Sequence, residues 1–298
     1  MADFNSIFDK LKDKPVRRLV VANGIDRHSV EAAYLAQQKG WVSVTITGNR
    51  RSIEQQCLSC GISSETFELI DTSDEEVAVG MAVEMARNNR SDLIMKGLIS
   101  TDKFMKAILN KEKGLLSPGT LLTHITLMNT PNYPKPLLLS DVAIIPLPTL
   151  EQKKIMTQYL IDIAHKIGIN NPGVAFIAAS EQIIERMPAT TDAKLLKDLW
   201  SQGYFPGSVC DGPMGLDIAI DKESAEIKNY RSSIAGEADC LLFPNIESGN
   251  VFYKTNTKFC GAQIAAILVG AKVPTVLSSR GDNIETKLNS IAFAALAG

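Results

Sequence analysis

The sequence predicts a two-domain α/β protein, with mainly parallel sheets covered by helices on both faces. Short apolar runs alternate with helix-period stretches from one end of the chain to the other, which is the rhythm of βαβ units. The runs are continuously apolar, as at residues 19–22 and 93–95. That suits strands buried on both faces better than the alternation of a half-exposed sheet. The chain has 298 residues, about the length of two ordinary domains. Three prolines between Pro131 and Pro136 interrupt regular structure and mark a boundary.

The elements follow in order. Phe4, Ile7, Phe8 and Leu11 form the apolar stripe of an N-terminal helix within 1–14, without the basic start and apolar centre of a signal peptide. A strand at 19–22 leads to a helix over 29–39 that ends at Gly40. A strand at 41–46 leads to a helix over 51–60 capped by Gly61. The strand at 67–70 precedes a helix over 73–87, opened by the capping box of Ser73 and Glu76. A strand at 93–95 enters a helix from about 102 to 111, and strands at 123–128 and 137–144 close the first half. The second half reads as helix 149–166, strand 174–178, helix 191–202, strand 208–210, and strand 241–243 before a Gly/Asn loop. It continues as helix 263–269, strand 275–277 and a last helix over 283–296.

Composition excludes several functions. Lys plus Arg is 31 against 33 Asp plus Glu, a net charge of −2, without the basic excess of a nucleic-acid binder. An anion site must therefore be local. The 45% hydrophobic and 21% charged content is that of a globular protein. No run reaches the roughly 18 apolar residues of a membrane span, so the expected location is the cytoplasm, with neither membrane nor nucleic acid as partner. The five cysteines are odd in number and scattered, which is no disulfide framework. Cys57 and Cys60 lack a second ligand pair, and His28, His124 and His165 are the only histidines, so no metal is expected. The dinucleotide, P-loop, α/β-hydrolase and zincin signatures are absent.

In open α/β sheets ligands bind beyond the C-terminal ends of the strands, and four strand-to-helix loops are candidates. Ser278-Ser-Arg-Gly-Asp282 precedes the last helix and combines two hydroxyls, a guanidinium and a helix start, an arrangement suited to an anion. Asp282 with Glu285 reads equally as a capping box. Lys96-Gly-Leu-Ile-Ser-Thr101 brings a cation, a glycine and the hydroxyls of Ser100 and Thr101 to a helix start, with Lys106 further along. Pro244-Asn-Ile-Glu-Ser-Gly-Asn250 is followed by Tyr253 and Lys254. Gly249 there permits close backbone approach to a ligand, or simply a turn. Asp211-Gly-Pro-Met-Gly-Leu-Asp217 sets two carboxylates in a tight loop, to bind a polar ligand or to cap the chain.

At these loops the sequence resembles the phosphate acetyl/butyryltransferase family, and its butyryl branch more closely. The matching segments are Met95–Thr101, Asp141–Thr149, Asp211–Asp217, Ala235–Asp239, Pro244–Asn250 with Tyr253-Lys254, and Ser279–Asp282. They occur in the family's order across nearly the whole chain and together are specific. The resemblance implies a fold like that of isocitrate and isopropylmalate dehydrogenases. One domain would comprise 1–136 with a returning C-terminal helix in 281–298, the other 137–280, with the active site in the cleft between them. It implies a homodimer and no permanently bound cofactor, coenzyme A being a substrate.

The implied reaction is acyl-CoA plus phosphate giving acyl phosphate plus CoA, reversibly, by direct attack in a ternary complex, with a butyryl or similar short or branched chain. Ser279 would orient the CoA sulfur or stabilise the oxyanion, and Arg280 would hold the phosphoryl group. Lys106 stands where the acetyl branch has a phosphate-binding Arg. Thr286 stands where that branch has its general-base Asp and cannot serve as one. Asp282, Glu285 or solvent would take the proton. Lys96, Ser100, Thr101, Gly249, Asn250, Tyr253 and Lys254 complete the expected substrate contacts. The alternatives are a phosphate acetyltransferase, a non-catalytic CoA or acyl-phosphate-binding homologue, and a dehydrogenase on the same fold.

Overall fold

The structure, a computed structural model, describes residues 4–277 and 282–298. Its strands are β1 (Arg17–Ala22), β2 (Val42–Gly48), β3 (Glu68–Asp71), β4 (Leu93–Lys96), β5 (Thr123–Asn129), β6 (Leu137–Ser140), β7 (Gly173–Ile177), β8 (Val209–Met214), β9 (Cys240–Leu242), β10 (Gln263–Val269) and β11 (Thr275–Val276). The α-helices are α1 (Phe4–Phe8), α2 (Arg27–Gln38), α3 (Arg50–Ser59), α4 (Glu75–Arg87), α5 (Thr101–Ile108), α6 (Leu150–Lys166), α7 (Pro188–Ser201), α8 (Leu216–Ile220), α9 (Lys222–Ile227), α10 (Ile246–Phe259) and α11 (Ile284–Ala297). They divide between two compact units. One comprises Phe8–Leu122 and Ala265–Gly298, the other Met1–Ile7 and Thr123–Ile264. Among the described residues no helix is long and apolar enough to cross a membrane.

The first unit orders its strands β3-β2-β1-β4-β11-β10. All neighbours run parallel except β10 and β11, which pair antiparallel through Leu268 and Thr275. Leu19, Val20, Val21 and Ala22 are buried, as is all of β4. A strand buried along its whole length needs cover on both faces, which is why these runs are continuously apolar. Helix α11 packs on α2, β4 and β11 and buries Ile291 to Ala297. Its last carbonyls are met by cations, the Arg17 guanidinium donating to Gly298 (2.8 Å) and Lys14 Nζ to Leu296 (3.5 Å). They satisfy groups that a helix end leaves without partners.

The second unit orders its strands β5-β6-β9-β7-β8, with β5 and β6 antiparallel and the rest parallel. Its core gathers Leu137, Leu139, Ala175, Met214, Leu241 and Phe243. The proline-rich turn lies inside this unit. It joins β5 to β6, and Tyr133 within it donates its hydroxyl to the Ala238 carbonyl (2.8 Å). The chain therefore changes unit at Leu122/Thr123 and again at Ile264/Ala265, not at 136 and 280. The pairing of Thr126 with Leu139 and Met128 with Leu137 keeps both sides of the turn together.

Other elements differ from the sequence reading. Residues 263–269 form strand β10, not a helix. A short apolar run fits either state, and here six of its seven residues are buried beside β11. The expected Gly/Asn loop after β9 is instead the start of α10, whose N-cap Asn245 accepts from the Ser248 amide (2.9 Å). Helix α4 is capped by Asp74, which accepts from Glu76 and Val77, rather than by Ser73. Helix α7 starts earlier, at Pro188, where a missing amide costs nothing.

Candidate functional site

The first unit builds its site where β1 and β4 end. Beyond β4, Gly97 passes so close to the loop after β1 that a Cβ would stand 2.3 Å from the Asn23 carbonyl. Asn23, at φ 55°, donates its amide to the Leu98 carbonyl (2.7 Å). The two loops are thus held together by a glycine and an asparagine. Lys96 is 2% exposed, and its ammonium donates to the carbonyls of Ile99 (2.8 Å) and Gly97 (3.3 Å). Ser100 caps α5 by accepting from the Lys103 amide (3.3 Å). Thr101 and Lys106 lie on the same helix and are exposed.

A cavity of about 220 Å³ opens here, lined by Asp26, Arg27, His28, Lys96, Gly97, Leu98 and Lys287. Asp26 caps α2, its Oδ1 accepting from the Ser29 amide (3.0 Å), and Arg27 pairs with Glu31 (3.4 Å). Lys287, in the first turns of α11, is 4% exposed. Burial pushes its ammonium below the ordinary lysine range, against the opposing pull of Asp26 and Asp282. Lysines, an arginine and a histidine surround the cavity with one carboxylate among them, so the wall favours an anion. Sequence reasoning missed Asp26, Arg27, His28 and Lys287 as site residues. Lys287 had a signal: it shares the buried stripe of Ser290, Ile291 and Ala294 at helical spacing, and a lysine there needs a reason.

Ser279 and Arg280 lie outside the described residues. Asp282 is half-buried and does not cap α11. The cap is Asn283, which accepts from the Thr286 amide (2.8 Å), so the capping box expected of Asp282 and Glu285 is corrected.

In the second unit Asp141, Asn250, Asp211 and Asp217 bind their own chain. Asp141, 2% exposed, accepts four hydrogen bonds. They come from Thr123 Oγ1 (2.7 Å), the His124 amide (3.0 Å) and the amides of Ala143 (2.7 Å) and Ile144 (2.8 Å). Gly249 lies inside α10, and a Cβ there would meet the Asp141 carbonyl at 2.3 Å. Asn250 donates to the Val142 carbonyl (2.9 Å). The close approach at Gly249 is to the backbone of Asp141. Tyr253 packs against the core and Lys254 is exposed. Asp211 is salt-bridged to Lys197 (2.6 Å) and Asp217 to Lys228 (2.9 Å), so these carboxylates are spent on lysines. Among the described residues no three His, Cys, Asp or Glu side chains gather as metal ligands. Cys57 is buried, and burial raises its thiol out of the reactive range.

The first unit thus defines a class: an α/β protein with a cation-lined cavity at the C-terminal ends of its parallel strands, suited to an anionic group. Residues 75–295 match the family Phosphate acetyl/butaryl transferase. The phosphate butyryltransferase of Clostridium acetobutylicum is 39% identical over 98% of this chain and 97% of its own length. The phosphate acetyltransferase of Thermotoga maritima is 35% identical over 94% and 95%. A branched-chain phosphotransacylase from Enterococcus faecalis superposes with a TM-score of 0.83 at 26% identity, covering 95% of this chain and 99% of the other. A 4-hydroxythreonine-4-phosphate dehydrogenase from Salmonella typhimurium, at 0.58 and 11%, shares the fold alone. The chain belongs to the phosphate acetyl/butyryl transferase family.

Proposed function

We propose that this enzyme transfers an acyl group reversibly between coenzyme A and inorganic phosphate. The observation that carries the reading is the end-to-end match to phosphate butyryltransferase, 39% identical over 98% of this chain. The cation-lined cavity beside Lys96 and Lys287 supports it, because phosphate, acyl phosphate and CoA all present anionic groups.

The acyl group is butyryl or a similar short or branched chain, a reading that the butyryl relatives and the branched-chain neighbour support. Phosphate attacks the thioester directly, within a complex holding both substrates. Arg280 holds the phosphoryl group. Ser279 orients the sulfur or stabilises the oxyanion, a role for preorganised donors. Lys96, Ser100, Thr101 and Lys106 serve the anion from the β4–α5 loop and α5. CoA is a substrate and no cofactor is resident. The enzyme acts as a homodimer in the cytoplasm.

Phosphate-dependent release of free thiol from acetyl- through branched C5-acyl-CoA, without added metal, tests the reading. Release that requires phosphate and is fastest with C4 or branched chains is expected. Fastest release from acetyl-CoA overturns the chain preference, and no release from any thioester overturns the activity.

A further inference from the structure

Reaction geometry ties the acyl chain to the anion. In direct attack a phosphate oxygen stands about 3–3.5 Å from the thioester carbonyl carbon, and the alkyl chain begins at that carbon. The chain must therefore lie beside the groups that hold the phosphate. Its methylenes gain free energy by leaving water for an apolar surface. The geometry calls for a large apolar side chain on the wall of the cation-lined cavity.

Leu98 meets that description. It lines the cavity together with Lys96 and Lys287, and it is 41% exposed. Among the described residues lining the cavity it is the one large apolar side chain. Single exposed leucines are ordinary on a surface, but the backbone of this one is fixed. Its amide donates to the Asn23 carbonyl (2.9 Å), and its carbonyl accepts from the Asn23 side-chain amide (2.7 Å). Both backbone groups are thus taken by Asn23, and what Leu98 offers the cavity is its side chain. Gly97 before it lies against the Asn23 carbonyl too closely for any Cβ, and Ser100 after it caps α5. A contact group on a backbone pinned at both ends discriminates better than one on a free loop. By contrast, an apolar crevice between α6 and α7, lined by Phe176, Leu196 and Leu242, measures about 10 Å³, which is room for one water and not for an alkyl chain.

Resting on the acyltransfer reading above, we propose that Leu98 seats the alkyl chain of the acyl group and sets the preference for butyryl or branched chains over acetyl. An acetyl group ends at its methyl, whereas a butyryl group lays two further carbons on the leucine. A single methylene packed in this way is worth roughly 10–200-fold in kcat/KM.

The test is the thiol-release assay on the full chain with acetyl-, butyryl- and isobutyryl-CoA at saturating phosphate. The quantity read is the ratio of kcat/KM for butyryl-CoA to that for acetyl-CoA. Leu98→Asn keeps the size of the side chain and removes its apolar surface, and Leu98→Ala removes most of the side chain. Each should lower the ratio roughly 10-fold or more. Leu98→Met keeps the apolar bulk and should hold the ratio within about threefold of wild type. A merely structural role would slow all three thioesters by one factor and leave the ratio alone. Where Leu98→Asn does not fold, Leu98→Ala carries the test. A smaller fall of the ratio in a folded Asn or Ala variant, or a fall as large in Leu98→Met, overturns the assignment of Leu98 alone. A wild type as fast with acetyl-CoA as with butyryl-CoA overturns the chain preference and the assignment with it. A wild type with no turnover of any thioester overturns the acyltransfer reading itself.

Discussion

The loop after β4 and the segment around Asp141 use the same vocabulary and do different things. Each has a strand end, a glycine at which a Cβ would press on backbone and a polar side chain on a carbonyl. Around Asp141 the polar groups turn to their own chain: the carboxylate gathers four donors and Asn250 ties α10 to Val142. After β4 the same devices leave a cavity of about 220 Å³ with Lys96 and Lys287 on its wall. Glycine and asparagine at a strand end therefore do not by themselves mark a ligand site. Buried lysines beside an open volume are the stronger pointer, because the cavity leaves room for an anion to offset charge that is expensive to bury.

The comparison can be broken most sharply at Asp141. Asp141→Ala orphans four donors at a buried position, and stability should fall by roughly 4 kcal/mol. Chemical denaturation measures this, and a loss under about 1 kcal/mol would show that the carboxylate is no keystone. On the other side, Lys96→Met removes charge-assisted hydrogen bonds worth about 1.5–3 kcal/mol. It should lower kcat/KM roughly 10- to 100-fold in the thiol-release assay. Unchanged kinetics would make Lys96 a brace for its own loop and nothing more.

Gly249→Ala comes next. Its Cβ would press on backbone, which cannot swing away as a flexible side chain can, so overpacking should cost about 1–3 kcal/mol. Titrating the variant with CoA should show near-normal affinity in the fraction that folds. A selective loss of CoA affinity without loss of stability would return Gly249 to the ligand.

The smallest effect concerns stability at Lys287. In the folded protein burial lowers its pKa, so between the folded and unfolded values the unfolded chain holds the extra proton and stability rises with pH. The cost of the buried ammonium is full below the folded value and gone above about 10.4, where the unfolded lysine titrates. Lys287→Met should therefore raise the melting temperature slightly at pH 7, and the gain should shrink as the pH climbs towards 10. A gain independent of pH would place its origin in packing instead of charge.

Much of the fold was legible. The buried runs of β1 and β4, the stripe of Phe4, Ile7, Phe8 and Leu11, and the helix end at Gly61, which sits at φ 68°, all follow from local periodicity and turn chemistry. The misreadings arose where a local rule permits two answers. The segment Gln263–Val269 fits a helix or a strand, and only its place beside β11 chooses the strand. Gly249 and Asn250 look like a loop until packing on Asp141 and Val142 makes a helix of them.

The sequence by itself determined the α/β alternation, the family motifs and the absence of a basic excess, because composition and short-range spacing encode these directly. Tertiary structure alone decided which polar residues lie beside a cavity and which are consumed within the chain. Asp26 and Lys287 are hundreds of residues apart in sequence, and only the packing of α11 on α2 brings them to one wall. Burial is a property of that packing, and burial is what alters the chemistry of a lysine.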